Sequence, residues 1–258
     1  MTSYSSRFKS LALILIAGMA SPLLTGCADK PTTAQADTVA ACIVSHASPE
    51  RLRVMGETYA MTEVSGVART DAWECGEGRW GVALSPAYRD AIEPAMGAEL
   101  RKAPAAREGM YAATFGTQFS KKQQVVIGKL GSFLDEARRA TLLGLSCGVV
   151  EPHAVQVVGR LDLPFAIAVL GIQADIGEPK VAQTAADKLL ERVNLLMPAD
   201  STPACDKDNG KAAFVRYAQE MHQFYQGQHP WARGCGVRQD GEDLSLVCTG
   251  TEKGAARK

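Results

Sequence analysis

The chain has no surplus of either charge, since 28 Lys and Arg are matched by 28 Asp and Glu among 258 residues. A protein that tracks phosphates clusters basic side chains. The densest basic stretch here, Arg101 to Arg107 and then Lys121-Lys122, is diluted by Ala, Pro and Glu, so nucleic acid is not an expected partner. Long hydrophobic runs are missing too. Leu11 to Ala20 stops at Ser21-Pro22, and Leu161 to Ile172 is the only later run of note; at about a dozen residues each falls short of the roughly 20 that span a bilayer. There is no Cys-x-x-Cys and no Cys/His pair at zinc spacing, so neither a metal nor another cofactor is expected. No internal repeat is evident, and no motif after the first thirty or so residues names a reaction.

What is present begins with an address. Arg7 and Lys9 precede the apolar run, and Leu24-Thr25-Gly26-Cys27 closes it, the order of a secretory signal with small residues before its cleavage site. These four residues resemble the lipobox of bacterial lipoproteins. The resemblance implies a diacylglycerol thioether on Cys27, cleavage between Gly26 and Cys27, and acylation of the new amino terminus. Several acyl chains, each contributing ~0.8 kcal/mol per buried methylene, would attach the protein permanently to a membrane. In Gram-negative lipoproteins an Asp directly after the acylated Cys goes with inner-membrane retention; here that position is Ala28, which points to the periplasmic face of the outer membrane. Cleavage takes Arg7 and Lys9 and no acid, so the 28 basic groups become 26 against 28 acidic.

Six cysteines remain: Cys42, Cys75, Cys147, Cys205, Cys235 and Cys248. An even number in an exported chain implies three disulfides. Locality favours Cys235 with Cys248, because Asp240-Gly241 reads as a turn and Leu244-Ser245-Leu246-Val247 alternates like a strand. Cys42 with Cys75 and Cys147 with Cys205 then follow.

The expected organisation is a signal peptide over 1–26, a lipidated flexible tether over 27–41, a mainly helical domain over 42–250 and a polar tail over 251–258. Ser48-Pro49 and Ser85-Pro86 place a capping hydroxyl before a proline at the first helical position. Ser120 with Gln123 makes a capping box for a long helix with Val126, Leu130, Phe133, Leu134, Ala137, Thr141 and Leu145 inward. Lys129, Asp135, Glu136, Arg138 and Arg139 fall on its wet side. Helices are also predicted from Pro179 (Val181, Ala185, Leu189, Val193 and Leu196 inward) and over Lys211 to Gln226. The latter places Phe214 or Val215, Ala218, Met221 and Tyr225 inward, with Gly227 as its stop. Leu161 to Ile172 reads as a helix buried on all sides, and Met61 to Leu84 as room for a small hairpin. The fold class expected is mainly α: a disulfide-braced helical bundle with a small β-hairpin element.

Some patterns carry chemistry on paper. Gly144-Leu145-Ser146-Cys147-Gly148 has the form of a nucleophile elbow, with His222 and His229 downstream. An elbow needs a strand before its serine; a helix precedes this one, so a helix end capped by Gly148 is the better reading. Asp206-Lys207-Asp208-Asn209-Gly210 misses the glycine and glutamate positions of a calcium loop and reads as a turn and helix cap. His222 and His229, seven apart, share a face only if their helix runs past Gly227. Lone His46 and His153 are expected as surface or satisfied residues. Glu57 with Glu63, or Glu74 with Glu77, are acids whose separation in space the sequence does not supply.

The aromatic, glycine-flanked stretches Trp73 to Trp80 and Tyr225 to Trp231 each combine Trp, Gly, Arg and a nearby cysteine. Rigid loops presenting Trp73, Arg79, Trp80, Tyr225 and Trp231 would suit a protein interface, which favours such anchors; tryptophan packed over a disulfide is the bland alternative. Three classes follow: a binding protein, specifically an immunity protein or inhibitor facing a toxin or hydrolase in the periplasm; an envelope assembly or secretion accessory; and an uncharacterised periplasmic hydrolase. The first is the expected one, with the membrane and a protein as its partners and no catalytic residue assigned.

Overall fold

The computed structural model describes residues 32–62, 75, 86–196 and 205–249. Proline and hydroxyl caps set the helix starts. α1 (Thr33–His46) opens on a Thr32/Gln35 capping box, and α2 (Pro49–Thr62) on Ser48, whose Oγ accepts from the Arg51 N–H. α3 (Pro86–Lys102) and α4 (Pro104–Ala112) each begin at proline. α5 (Lys121–Ser146) has the expected Ser120/Gln123 box. α6 (Pro152–Gly159), α7 (Asp162–Ile172), α8 (Pro179–Leu196) and α9 (Lys207–Tyr225) follow. β1 (Cys235–Asp240) and β2 (Asp243–Cys248) pair antiparallel, Cys235 opposite Cys248. The fold is mainly α, with one two-stranded hairpin among the described residues. Cys42–Cys75, Cys147–Cys205 and Cys235–Cys248 are the three disulfides, the pairing that locality predicts.

Two hydrophobic clusters share α4 as a wall. Ala36, Val39, Ala40 and Ile43 of α1 pack with Met96, Leu100, Ala106 and Met110. Tyr111, one residue on, belongs to the larger cluster with Ile127, Leu130, Phe165, Leu170, Leu189, Met221 and Phe224. The helices approach closely because glycine lines their contacts. A Cβ on Gly56 would overlap the Ala106 carbonyl oxygen, and one on Gly109 the Arg53 carbonyl oxygen.

Four expectations change. Residues 27–41 are not a tether throughout, because the chain is helical from Thr33 and its small apolar residues at three- and four-residue steps are buried. Asp135 is not on a wet face; it is fully buried on α5, where Ile127 rather than Val126 leads the inward stripe. α9 starts at Lys207, capped by Asp206, and turns Tyr217 and Phe224 inward while Tyr225 and Val215 are exposed. α7 is buried on most sides, yet Ile172 is exposed at its end. Pro152–Ile172 has the length and composition to cross a membrane, but turn residues 160 and 161 divide it and Phe165, Ala166, Val169 and Leu170 lie in the core. The hairpin expected over Met61 to Leu84 lies outside the described residues, apart from the end of α2 and Cys75.

Candidate functional site

Of the expected interface residues, Tyr225 and Trp231 are described; Trp73, Arg79 and Trp80 lie outside the described residues, as do Gly26, Cys27 and the 251–258 tail. Tyr225 ends α9 and is exposed. Gly227, at φ 73°, turns the chain out of the helix, and Gly236 brings β1 so close that a Cβ there would meet the Tyr225 carbonyl oxygen at 2.9 Å. In the hairpin register Gly236 faces Val247 and Arg238 faces Ser245. Alternation puts these on one side of the ribbon, opposite the side bearing the disulfide and Leu246. Tyr225, Val247 and Arg238 thus border one open concavity of about 590 Å³.

Trp231 sits deeper than a free anchor would. Its ring lies 5.6 Å from that of Phe133 and stacks on Phe165 at 6.5 Å. It belongs to an aromatic group centred on Phe165, which also holds Phe224 and His229.

A polar group that the sequence did not reveal adjoins these rings. The Tyr217 hydroxyl donates to Asp162 Oδ1, joining α9 to the start of α7. Burial pushes the Asp162 carboxyl up to about 6, with the Tyr217 hydrogen bond and Arg138 partly offsetting it. Burial, and then the Asp162 charge, raise the Tyr217 hydroxyl well above its ordinary value. His229 Nε2 lies 2.9 Å from Glu220 Oε2, while the Trp231 N–H donates to His229 Nδ1 at 3.1 Å. That donation assigns the proton to Nε2, the ring nitrogen close to Glu220. Burial lowers the His229 pKa and Glu220 opposes the shift. A cleft of about 190 Å³ reaches Tyr217 and Glu220 between Phe133, Glu136 and Arg216.

Other constellations resolve into structure. Ser146 Oγ donates to its own helix at Leu143 O, 3.0 Å away, and Gly148 at φ 64° follows the Cys147 cap. Asp206 Oδ1 accepts from the Asn209 N–H. His222 is exposed on α9, whereas His229 is buried beyond the helix end, so the two do not share a helical face. Glu57 faces Lys121 at 3.9 Å; Glu63, Glu74 and Glu77 lie outside the described residues. Cys42, His46 and Cys75 have donor atoms within 4.8 Å of one another, but the two sulfurs are bonded together and so are not thiolate ligands.

Comparison with protein-family models, curated proteins and solved structures gave no match for this chain. The class that the fold defines is a disulfide-braced, mainly helical body carrying a cystine-tied hairpin.

Proposed function

We propose that this chain is a lipid-anchored protein of the bacterial envelope that works by binding another protein, as an immunity protein or inhibitor of a toxin or hydrolase in the periplasm. One observation carries the reading: Tyr225 and Arg238 border the same open concavity on a hairpin whose ends are joined by Cys235–Cys248. Tyr and Arg are the anchors that protein interfaces favour, and a rigid support lowers the ordering cost of binding. Trp231 then acts from behind, its ring holding the His229 to Ala232 turn on Phe133 and Phe165. Trp73, Arg79 and Trp80 supply a second set of anchors by composition.

Three cystine pairs suit an oxidising compartment, and Leu24-Thr25-Gly26-Cys27 supplies the address. The lipid on Cys27 would hold the body at the outer membrane, facing the periplasm. An inhibitor needs a stable surface and a fixed location, which these features provide.

The test is capture of partners from envelope extracts and secreted effectors on the mature chain with its disulfides intact. Recovery of one stoichiometric hydrolase or toxin whose activity falls on binding supports the proposal. Tyr225→Ala with Arg238→Ala should then weaken that binding at least tenfold at unchanged thermal midpoint, and Trp80→Ala should add to the loss. Recovery of a set of secretion or wall-assembly components favours the accessory role instead.

A further inference from the structure

A second cavity, of about 460 Å³, opens between the end of α7, the start of α8 and the inner side of the hairpin. Its size is within the roughly 300–1,000 Å³ of small-molecule sites. The walls are aliphatic: Ile167, Ile172, Ile176, Ala182, Leu246 and the Cys235–Cys248 disulfide. Ile172 is 42% exposed there, an apolar surface left open to water. No aromatic ring among the described residues lines the cavity. Its hydroxyl, Thr249 Oγ1, is already donating to Gly234 O at 3.0 Å. Sugars, nucleotides and peptides need several convergent hydrogen-bonding groups, and these walls do not offer them. Among the described residues they offer one cation. Arg233 lines the cavity and is exposed, with no ion pair or side-chain hydrogen bond to any described residue. Residues 250 to 258 carry no apolar side chain larger than Ala, so that segment is a poor filler for such walls.

We propose that this cavity binds a fatty carboxylate, with its hydrocarbon chain between α7, α8 and the hairpin and its carboxylate at Arg233. The aliphatic walls select a flexible saturated or polyene chain, and the single guanidinium selects one anionic end. The inference stands apart from the protein-binding reading, because the cavity lies on the disulfide side of the hairpin and Tyr225 and Arg238 border the other.

Two glycines make the site testable. Gly171 and Gly177 line the cavity, and a Cβ on either meets nothing within 4 Å, so a larger side chain enters open space. The experiment uses the full chain with Cys27→Ser, free of attached lipid and with its disulfides formed. It is titrated with the fluorescent fatty acid cis-parinaric acid and with its methyl ester, both below their aggregation limits. Saturable binding of the acid at one per chain, at least tenfold tighter than the ester, is expected. Gly171→Leu should lose at least tenfold at unchanged circular dichroism and thermal midpoint, with Gly177→Leu as the second filling variant. Arg233→Gln should bring acid and ester to similar affinity. Absence of saturable binding, equal affinity for acid and ester, or full binding by both filled variants overturns the proposal. So does sedimentation showing that a second copy of the chain covers the cavity.

Discussion

Arg107 Nε lies 3.0 Å from Asp135 Oδ2, and this pair is almost wholly excluded from water where α4 meets α5. The guanidinium donates to the carbonyl oxygens of Arg101 at 2.9 Å and Lys102 at 3.1 Å, and to Glu136 Oε1 at 2.6 Å. Asp135 Oδ2 accepts from Arg139 Nε at 3.0 Å. Burial, and then the Asp135 charge, raise the Tyr111 hydroxyl well above its ordinary value. Because α4 contributes to both hydrophobic clusters, this network fixes how they meet.

Removing Asp135 leaves the buried Arg107 guanidinium with two backbone carbonyls and the half-exposed Glu136 as its partners. Asp135→Ala is expected to cost about 3–5 kcal/mol, whereas Arg107→Met with Asp135→Leu together should cost much less, since well-packed apolar replacements of a buried pair are often nearly neutral. Urea unfolding of the two variants checks the order. A double variant as unstable as the single one would show that the carbonyl contacts of Arg107, rather than the ion pair, dominate.

Gly109 sits where α4 crosses α2, and a methyl group there would overlap the Arg53 carbonyl oxygen. Helix propensity alone would make Gly109→Ala stabilising by up to about 1 kcal/mol. The close approach reverses that sign, and a loss of about 2 kcal/mol or more is expected as the helices are forced apart. Gly159→Ala, in α6 with open space around it, should not lose stability. Thermal denaturation of the pair separates backbone propensity from packing.

Several helices and the disulfide pairing were legible because they depend on local signals. Ser48-Pro49 and Ser120 with Gln123 announce helix starts, and Asp240-Gly241 brings Cys235 and Cys248 together. The start of α1 carried a signal of the same kind, a Thr32/Gln35 box ahead of apolar residues at 36, 39, 40 and 43. Its run of alanines and threonines around Gln35 and Asp37 resembles a polar linker unless the spacing is counted. Asp135, Asp162 and His229 had no such signal. Each is buried or half-buried by partners that come from another helix or turn: Arg107 for the first, Tyr217 for the second, Glu220 and Trp231 for the third. A one-dimensional pattern assigns a lone carboxylate to the wet face because solvation normally wins.

Cys147–Cys205 closes 58 residues of chain and Cys235–Cys248 closes 13. In the chain-entropy picture the longer loop contributes about 1 kcal/mol more, on the order of 4 against 3. Replacing each pair by alanines should therefore lower the denaturant midpoint further for 147/205 than for 235/248. The reverse order would mean that the hairpin's contacts with α9 and the aromatic turn depend on its cystine more than loop entropy implies.

The acid range offers a sharper test, because Asp162 and His229 pull in opposite directions. The Asp162 carboxyl is raised in the folded chain to about 6, against about 3.9 when unfolded. Between those values the folded state holds the extra proton, so stability falls as pH rises from about 4 to 6 and stays lower above. Asp162→Asn keeps an acceptor for the Tyr217 hydroxyl and removes the charge. It should stabilise the protein by roughly 1–3 kcal/mol at pH 8, the advantage fading as pH is lowered towards 4. His229 is lowered in the folded chain, chiefly by burial, so its contribution is complete above about pH 6.5 and is lost as pH falls. Protonating Nδ1 also sets a donor against the Trp231 N–H that now donates to it. His229→Asn, which retains an acceptor there, should remove the loss below about pH 6.5 while lowering stability at pH 8 through lost packing on Phe165. Urea unfolding of the parent and both variants from pH 4 to 8 reads the two slopes separately. A parent curve whose acid limb is unchanged by His229→Asn would place the sensitive group elsewhere. A flat Asp162→Asn difference across the range would show that Asp162 is ionised throughout, held so by Arg138 and Tyr217.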